Sequence, residues 1–221
     1  MMNLHWDNGQ NIAFKAGKVV CVGRNYVEHA QELNNEIPTE PLLFIKPNSS
    51  LVSMENNVKL PNRLGAHHYE AELALLIGQT ITSETEINLH QQIAGVGVGL
   101  DLTLRELQSR LKESGHPWEK AKAYDNSCII SPFVPVAPTT HFNELMFSLS
   151  INDAIRQQAS SSLMVFSIPL LLKEISQYFT LHPGDIVLTG TPKGVGQLMS
   201  GDRLQVLLQG QLLATCEIDL I

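Results

Sequence analysis

Cysteine is scarce in this sequence. Cys21, Cys128 and Cys216 are the only three among 221 residues, they lie far apart, and none belongs to a CxxC pair. An odd number of widely spaced cysteines argues against a disulfide framework and against a zinc knot. The N-terminus also lacks the basic start and the apolar block of a signal peptide. These absences together predict a reduced, cytoplasmic protein.

Positive charge is scarce as well. Lysine and arginine number 15 against 22 aspartates and glutamates, which gives a formal net charge of −7. Nucleic acids and anionic membranes usually require a basic face on the protein, so we expect neither as a partner. The apolar run 163–172 is far shorter than the roughly 20 residues that a membrane-spanning helix needs. The sequence therefore predicts no membrane segment.

What the sequence does contain is typical of a globular protein with a sizeable core. Hydrophobic residues make up 43% and charged residues 17%, and the length suits one large domain. Short runs of β-forming residues dominate, and Gly, Pro, Asn and Asp turns separate many of them. The predicted strands are 18–22, 42–46, 70–77, 93–99, 147–151, 185–188, 204–208 and 212–218. We expect the last two to form a hairpin.

Three stretches predict helices. Asn25 and Glu28 resemble a capping box that opens a short helix ending near residue 33. Leucines at helical spacing predict a second helix over about 102–113. The stretch 163–179 predicts a third, interrupted by Pro169. Because strands and helices do not alternate regularly, we predict an α+β fold in which a mixed, curled sheet carries a few peripheral helices.

An acidic pair precedes the apolar run 73–77. In an extended strand, Glu70 and Glu72 share one face with Cα atoms about 6.6 Å apart. Two carboxylates that enter a core together repel by about 4 kcal/mol at 4 Å and an effective dielectric near 20, so a cation should lie between them. Asp101 follows a glycine-rich strand and is the candidate third ligand. Three carboxylates without sulfur predict Mg²⁺ or Mn²⁺.

Other interpretations of these residues remain open at this point. Glu70 and Glu72 could lie on a solvent-facing edge strand, with Asp101 as a simple helix N-cap. His68 would share the face of the two glutamates, which permits a rival His/Glu/Glu site for iron or zinc. An adjacent pair such as His67-His68 is also common as a structural or surface feature.

Further candidate groups occur at helical spacing. His29 and Glu32 are three residues apart, so a carboxylate could orient an imidazole that deprotonates water. Arg105 and Gln108 continue a stripe from Asp101 that would suit a ligand with a carboxylate. Both patterns are also typical of solvated helix faces. For His29 and Glu32 the spacing alone favours a solvated pair, and for the stripe with Arg105 and Gln108 it does not decide between the two interpretations.

Two more segments carry candidate groups. Lys120 or Lys122 could stabilise an oxyanion beside a metal, although most lysines are merely solvated. The loop 189–196 fits neither a P-loop nor the GxGxxG pattern. It could still present backbone N–H groups and Thr191 to a carboxylate, or it could be a tight structural turn.

Taken in order, these segments resemble the fumarylacetoacetate hydrolase family, especially its single-domain acylpyruvate hydrolase and oxaloacetate decarboxylase branch. The similarity extends from about residue 18 to the C-terminus, and the order and spacing of the segments make it specific. The segments that carry the resemblance are 23–26 with His29 and Glu32, 40–47, 70–74, 101–108, 122–125 and 189–192.

The resemblance implies a role for each candidate group. Glu70, Glu72 and Asp101 would hold Mg²⁺ or Mn²⁺, His29 and Glu32 would activate water, and Lys122 would be the catalytic lysine. The implied substrate contacts are Arg105, Gln108 and Thr191. Relatives have a mixed β-roll, are usually homodimers and carry the His29 segment on a lid that orders when ligand binds. Residues 1–17 match the family poorly, so we predict one catalytic domain over 18–221 and assign the first 17 residues no role.

From this resemblance we expect a metal-dependent hydrolase that cleaves the C–C bond of small acylpyruvates through a pyruvate enolate. The alternative is an oxaloacetate decarboxylase or an enol–keto tautomerase that uses the same site. Decarboxylation passes through the same pyruvate enolate but needs no attacking water, and tautomerisation needs still less. A third interpretation, ranked below these, is a non-catalytic metal or ligand-binding protein. In the catalytic cases the partner is a small 2-oxo acid.

Overall fold

The computed structural model describes residues 2–55 and 57–221. Its strands are mostly short, as the spacing of turn residues predicts. In chain order the strands are β1 (Asn3–His5), β2 (Asn11–Lys15), β3 (Val19–Gly23), β4 (Leu42–Lys46), β5 (Leu51–Ser53), β6 (Val58–Leu60), β7 (His67–Tyr69), β8 (Ala71–Ile77), β9 (Ile93–Asp101), β10 (Thr103–Leu104), β11 (Cys128–Ile130), β12 (Val134–Pro135), β13 (Met146–Ile151), β14 (Ala154–Ser160), β15 (Ile186–Leu188), β16 (Gly196–Gln197), β17 (Arg203–Leu208) and β18 (Gln211–Leu220).

The α-helices are few and lie between the strands. They are α1 (Val27–Glu32), α2 (Leu89–Gln92), α3 (Arg105–Glu113), α4 (Glu119–Lys122) and α5 (Ile168–Tyr178). Three short 3₁₀ turns accompany them, at Asn48–Ser50, Asn62–Leu64 and Ser161–Leu163. Within the described residues, no helix is both long enough and apolar enough to cross a membrane.

A mixed eight-stranded sheet forms the centre of the fold. Its main path runs β4-β3-β15-β8-β9-β11-β5, and β12 pairs with β9 beside it. β8 and β9 pair antiparallel with Glu72 opposite Gly99, and every residue of β8 is buried. A strand buried on both faces is apolar along its whole length, as the run 73–77 is. The sheet therefore carries both glutamates into the interior.

A second sheet of five strands, in the order β14-β13-β17-β18-β6, packs against one face of the central sheet. Leu73 and Leu75 from β8 share one buried cluster with Leu149 from β13 and Val206 from β17. Strands β17 and β18 form the predicted C-terminal hairpin. The predicted α+β class, with mixed curled sheets and few helices, is confirmed.

The N-terminal residues cover the opposite face of the central sheet. β1 and β2 form an antiparallel hairpin whose Leu4 and Ile12 are buried in a second apolar cluster with Phe133. Trp6 lies so close to Gly95 of β9 that a Cβ there would come within 2.8 Å of its ring. Glycine at this point therefore permits the hairpin to dock. Sequence reasoning assigned this segment no role.

Several local predictions about the helices were wrong. Asn25 does not cap α1; its side chain is buried and bonds instead to the backbone of Phe166 and Thr189. The second helix begins at Arg105, because Thr103–Leu104 pairs as a strand with β7. Pro169 does not interrupt the third helix but lies in its first turn, where the missing N–H costs nothing.

Candidate metal centre and active site

The three predicted acidic ligands meet in one buried cluster. Glu70 lies between β7 and β8, Glu72 belongs to β8, and Asp101 ends β9 rather than capping a helix. Each offers a carboxylate oxygen, and these oxygens all lie within 4.8 Å of one another. The pairing of β8 with β9 causes this convergence, because Ala71 stands opposite Leu100. The solvent-facing edge-strand interpretation is therefore wrong.

The neighbours of the three carboxylates make them unequal. Burial alone would raise the pKa of Glu70, but the charges of Lys122 and Arg105 outweigh it and hold that pKa well below its usual range. Burial and the adjacent Asp101 and Glu70 raise the pKa of Glu72 well above its usual range. The backbone N–H of Gly190 donates to Glu72 Oε2 at 2.6 Å. The raised pKa of Glu72 thus reflects the mutual repulsion of the three carboxylates, which a divalent cation bound between them would relieve.

Lys122 lies within this cluster. It is 3% exposed, and its Nζ donates to Glu70 Oε2, Asp101 Oδ2 and Thr103 Oγ1, each at 2.7 Å. Burial would lower its pKa, but the charges of Asp101 and Glu70 outweigh that effect and raise it. Lys122 is therefore a buried ammonium in contact with two of the three candidate ligands, whereas Lys120 is exposed on the same helix.

Lys46 at the end of β4 is a second buried lysine that sequence reasoning did not select. It is fully buried, and its Nζ lies 2.9 Å from Asp101 Oδ1 and bonds to the backbone carbonyls of Leu102, Lys122 and Ser127. Its approach to Asp101 Oδ1 lacks hydrogen-bond alignment, and that buried oxygen has no hydrogen-bond partner among the described residues. The sequence signal that could have identified Lys46 was its position as the single charged residue at the end of an otherwise apolar strand.

The three predicted substrate contacts surround the same cluster. Arg105, at the start of α3, bonds to Glu70 Oε1 and donates from Nη1 to Gln108 Oε1 at 2.8 Å. Thr191 is buried, and its hydroxyl accepts from Gln157 Nε2 at 2.8 Å. All three predicted contacts line the cavity described below, although Gln157 was not selected from the sequence.

His29 and Glu32 pair as their spacing predicts. His29 is 5% exposed, and its Nδ1 lies 3.4 Å from Glu32 Oε2, while Glu32 Oε1 accepts from the N–H of Gly194 at 3.0 Å. Burial lowers the pKa of His29, and the charge of Glu70 and the contact with Glu32 offset this only in part. The imidazole is therefore neutral near pH 7 and suited to accept a proton.

A cavity of about 140 Å³ joins these groups. His29, Lys122 and the three carboxylates line it, together with aromatic and aliphatic side chains such as Phe44, Trp118 and Leu42. His68 does not line this cavity. Among the described residues, the converging ligand atoms come from Glu70, Glu72 and Asp101 and not from His68.

The donor set fits a hard divalent cation. Three carboxylates converge without any sulfur or imidazole ligand, which is the chemistry that Mg²⁺ and Mn²⁺ prefer. Asp101 Oδ1 accepts no aligned hydrogen bond among the described residues and is paired only with the ammonium of Lys46, 2.9 Å away, so it has lone pairs available for a cation. The cluster could therefore hold a metal ion on the cavity wall.

A comparison with known protein families identifies the family to which this chain belongs. The family described as "Fumarylacetoacetate (FAA) hydrolase C-terminal" matches residues 18–218, nearly the whole chain. The chain belongs to the fumarylacetoacetate hydrolase family. Family membership accounts for the order of the motifs that sequence reasoning identified, and the chain is thereby a member of a family of enzymes.

Relatives within the fumarylacetoacetate hydrolase family carry informative names. The chain is 46% identical over 216 residues to "Oxaloacetate tautomerase YcgM" of Escherichia coli (strain K12), covering 97% of this chain and 99% of that protein. It is 41% identical over 198 residues to a mitochondrial oxaloacetate tautomerase of Arabidopsis thaliana, covering 89% of each.

Solved structures of family members have the same fold. A fumarylacetoacetate hydrolase family protein from Yersinia pestis CO92 is 46% identical with a TM-score of 0.94, covering 98% of this chain and 100% of that one. The fumarylpyruvate hydrolase of Pseudomonas aeruginosa, solved in complex with Mn²⁺ and pyruvate, is 33% identical with a TM-score of 0.89, covering 100% and 96%. The predicted family and the predicted fold are both confirmed.

Proposed function

We propose that this chain is an oxaloacetate tautomerase, which interconverts the enol and keto forms of oxaloacetate through an enolate. Sequence reasoning ranked acylpyruvate hydrolysis first and this reaction as the alternative. The names of two relatives support the alternative better, because these proteins are oxaloacetate tautomerases at 46% and 41% identity. The fumarylpyruvate hydrolase is more distant, at 33%.

The observation that carries the proposal is the position of Lys122. Its ammonium is buried, charged and in contact with Glu70 and Asp101, on the wall of a small cavity. Enolisation moves negative charge onto the oxygen of the 2-oxo group. A fixed positive charge in a site screened from water stabilises that charge strongly, because no solvent has to reorganise as the charge develops.

Glu70, Glu72 and Asp101 are the residues that would hold Mg²⁺ or Mn²⁺. Bound there, the ion would supply Lewis-acid polarisation of a 2-oxo acid. The chain's own groups do the remaining work. Arg105, Gln108 and Thr191 would bind and orient the carboxylate beside the 2-oxo group, and Phe44 and Trp118 contribute apolar surface to the cavity wall.

The size of the cavity favours a small substrate. Pockets for drug-sized ligands typically measure about 300–1,000 Å³. A cavity of about 140 Å³ suits oxaloacetate or a short acylpyruvate better than an acylpyruvate with a long acyl chain. Tautomerisation also needs no attacking water, so the site does not have to accommodate a nucleophile beside the substrate.

Hydrolysis of acylpyruvates is the second candidate, and one observation favours it. The neutral His29, paired with Glu32 and lining the cavity, is the arrangement that a water-activating base requires. In that reaction His29 accepts a proton from water, the resulting hydroxide adds to the distal carbonyl carbon, and the C–C bond breaks. The leaving enolate develops its charge towards Lys122.

The test is a spectrophotometric assay of enol–keto interconversion of oxaloacetate, with Mg²⁺ or Mn²⁺ present. We expect the wild type to accelerate it above the rate without protein. We expect Lys122→Met to reduce kcat by about 10² to 10³, the usual cost of removing one group that stabilises an oxyanion. Lys120→Met is the matched control, because Lys120 is exposed on the same helix, and its rate should be unchanged.

Two results would contradict the proposal. A Lys122→Met protein with an unchanged melting temperature and full kcat would exclude a role for that ammonium. A wild type that hydrolyses acylpyruvates but leaves oxaloacetate unaccelerated would favour the second candidate. Stabilisation by oxalate with Mg²⁺, without turnover of any 2-oxo acid, would instead indicate the non-catalytic binding protein.

Three further predictions remain proposals. We propose that residues 18–221 form one catalytic domain, that the protein is a homodimer and that it is cytoplasmic. Size-exclusion chromatography with light scattering would test the dimer, and cell fractionation would test the location.

A further inference from the structure

Four cationic side chains line the small cavity against three carboxylates. Arg105 and Lys122 are paired with the acidic cluster. The other two cations, Arg24 and Lys112, form no ion pair in the part of the chain that the structure describes. Lys112 Nζ has one neutral contact, with Asn35 Oδ1 at 3.3 Å. Two cations thus border the cavity without a carboxylate to neutralise them.

Helix α3 brings Lys112 to the cavity. Arg105, Gln108 and Lys112 are three and four residues apart, which places them along one face of the helix. All three line the cavity. The side chain of Lys112 is largely exposed; the desolvation of its buried part lowers its pKa, and the positive charges of Arg24 and Arg105, which line the same cavity, lower it further. Such mutual repulsion is unfavourable unless an anion is bound.

The backbone holds Arg24 in an unusual conformation. Its φ is 57°, in the left-handed region that costs a non-glycine residue of the order of 1 kcal/mol or more. The next residue, Asn25, anchors the segment: its Oδ1 accepts from Phe166 N–H at 2.7 Å, and its Nδ2 donates to Thr189 O at 2.8 Å. The hydrogen bonds of Asn25 therefore hold the strained turn in place, and Arg24, which lies in this turn, lines the cavity.

We propose that Arg24 and Lys112 form a subsite for the second carboxylate of the substrate, and so select four-carbon diacids over monoacids. The inference rests on the proposed function and adds the recognition of the far end of the substrate. Arg105, Gln108 and Thr191 remain the contacts for the carboxylate beside the 2-oxo group. Oxaloacetate carries two carboxylates, so its distal charge would neutralise the two unpaired cations.

The experiment compares oxaloacetate with its 4-methyl ester, which keeps the 2-oxo acid and removes the distal charge. For Arg24→Gln and for Lys112→Gln we expect kcat/KM with oxaloacetate to fall about 10-fold each, as for a lost charge-assisted contact. With the ester we expect a change within about twofold, because no bound charge is lost. Using each substrate in wild type and variant cancels the steric effect of the methyl group.

Two variants and one inhibitor serve as controls. Arg110→Gln removes an exposed cation of the same helix that does not line the cavity, and it should leave both substrates unaffected. Arg24→Lys should keep much of the preference for oxaloacetate. Inhibition by oxalate, which has no distal carboxylate beyond the 2-oxo acid portion, should be unchanged in every variant.

Equal losses on oxaloacetate and ester would assign Arg24 and Lys112 a structural role and overturn the inference, as would the absence of any loss. A wild type that turns over neither compound would overturn the proposed function. In that case the rise in melting temperature with oxaloacetate, compared with the ester, decides the subsite separately. The inference then requires the rise to be larger for oxaloacetate and to disappear in the double variant.

Discussion

The floor of the cavity, formed by Glu70, Glu72, Asp101 and Lys122, differs sharply from helix α1, which carries His29. The three carboxylates of the floor lie on or next to the paired strands β8 and β9, Lys122 ends the four-residue helix α4, and all four side chains are buried. Helix α1 has six residues and no side-chain cap; His29 and Ala30 are buried and the other four residues are exposed. Among its polar contacts are an exposed ion pair of Glu28 with Lys193 at 3.2 Å and the bond from Gly194 N–H to Glu32.

The floor and helix α1 are therefore suited to different tasks in the reaction. A floor in which every side chain is buried and hydrogen-bonded holds its charges in fixed positions, which is what electrostatic stabilisation of an enolate requires. Helix α1 exposes four of its six residues, so fewer buried contacts would be lost if it changed its position. We infer that the floor provides the chemistry shared by tautomerisation, decarboxylation and hydrolysis, while α1 decides whether water also attacks.

The largest effect should come from removing the metal from the floor. Exhaustive treatment with EDTA should abolish oxaloacetate tautomerisation and acylpyruvate hydrolysis alike, because a bound divalent ion contributes several kcal/mol to charge stabilisation. Mg²⁺ or Mn²⁺ should restore both, as measured by the two spectrophotometric assays. An enzyme that stays fully active after such treatment would refute the metal site at Glu70, Glu72 and Asp101.

The next effect should separate the floor from helix α1. We expect His29→Ala to lower any acylpyruvate hydrolysis by about 10² to 10⁴, the usual contribution of a general base. Oxaloacetate tautomerisation and decarboxylation should keep much of their rates, because neither needs an attacking water. His90→Ala is a matched control, since His90 lies outside the cavity lining. Equal losses of all activities would show that His29 does not act on water.

The smallest effect should be a shift in pH dependence. Because burial lowers the pKa of His29 below 6.5, its neutral form persists into mildly acidic solution, and hydrolysis should decline only as the pH falls through that lowered value. Glu32 raises this pKa, so Glu32→Gln should move the decline to still lower pH. A divalent cation nearby acts in the same direction. A decline above pH 6.5 in kcat/KM would contradict this account.

Each of the eight runs predicted from the sequence corresponds to an observed strand, but the other ten of the 18 strands were not predicted. The run 42–46 coincides with β4, and the run 204–208 with all but one residue of β17. The polar strand β14 was missed, because its side chains alternate too weakly to give a periodic signal. Short strands such as β7 and β10 were missed because they form only where distant segments pair.

The residues of the candidate site could largely be predicted from the sequence, but the contacts between them could not. Asn25 was interpreted as a helix cap, since local spacing cannot show that Phe166 and Thr189 lie beside it. Lys46 went unselected because its contacts with Asp101 and Ser127 span 55 residues or more of sequence. Long-range contacts of this kind depend on strand order, which a single sequence does not specify.

The sequence by itself determined the family, the mixed β architecture and the identity of the three acidic groups, because motif order and hydrophobic period are local properties of the chain. Only the tertiary structure decided that these carboxylates meet within 4.8 Å, that Lys122 lies between two of them and that Arg24 and Lys112 face the same cavity. The physical reason is that electrostatic interactions depend on distance and burial, and the pairing of remote strands sets both.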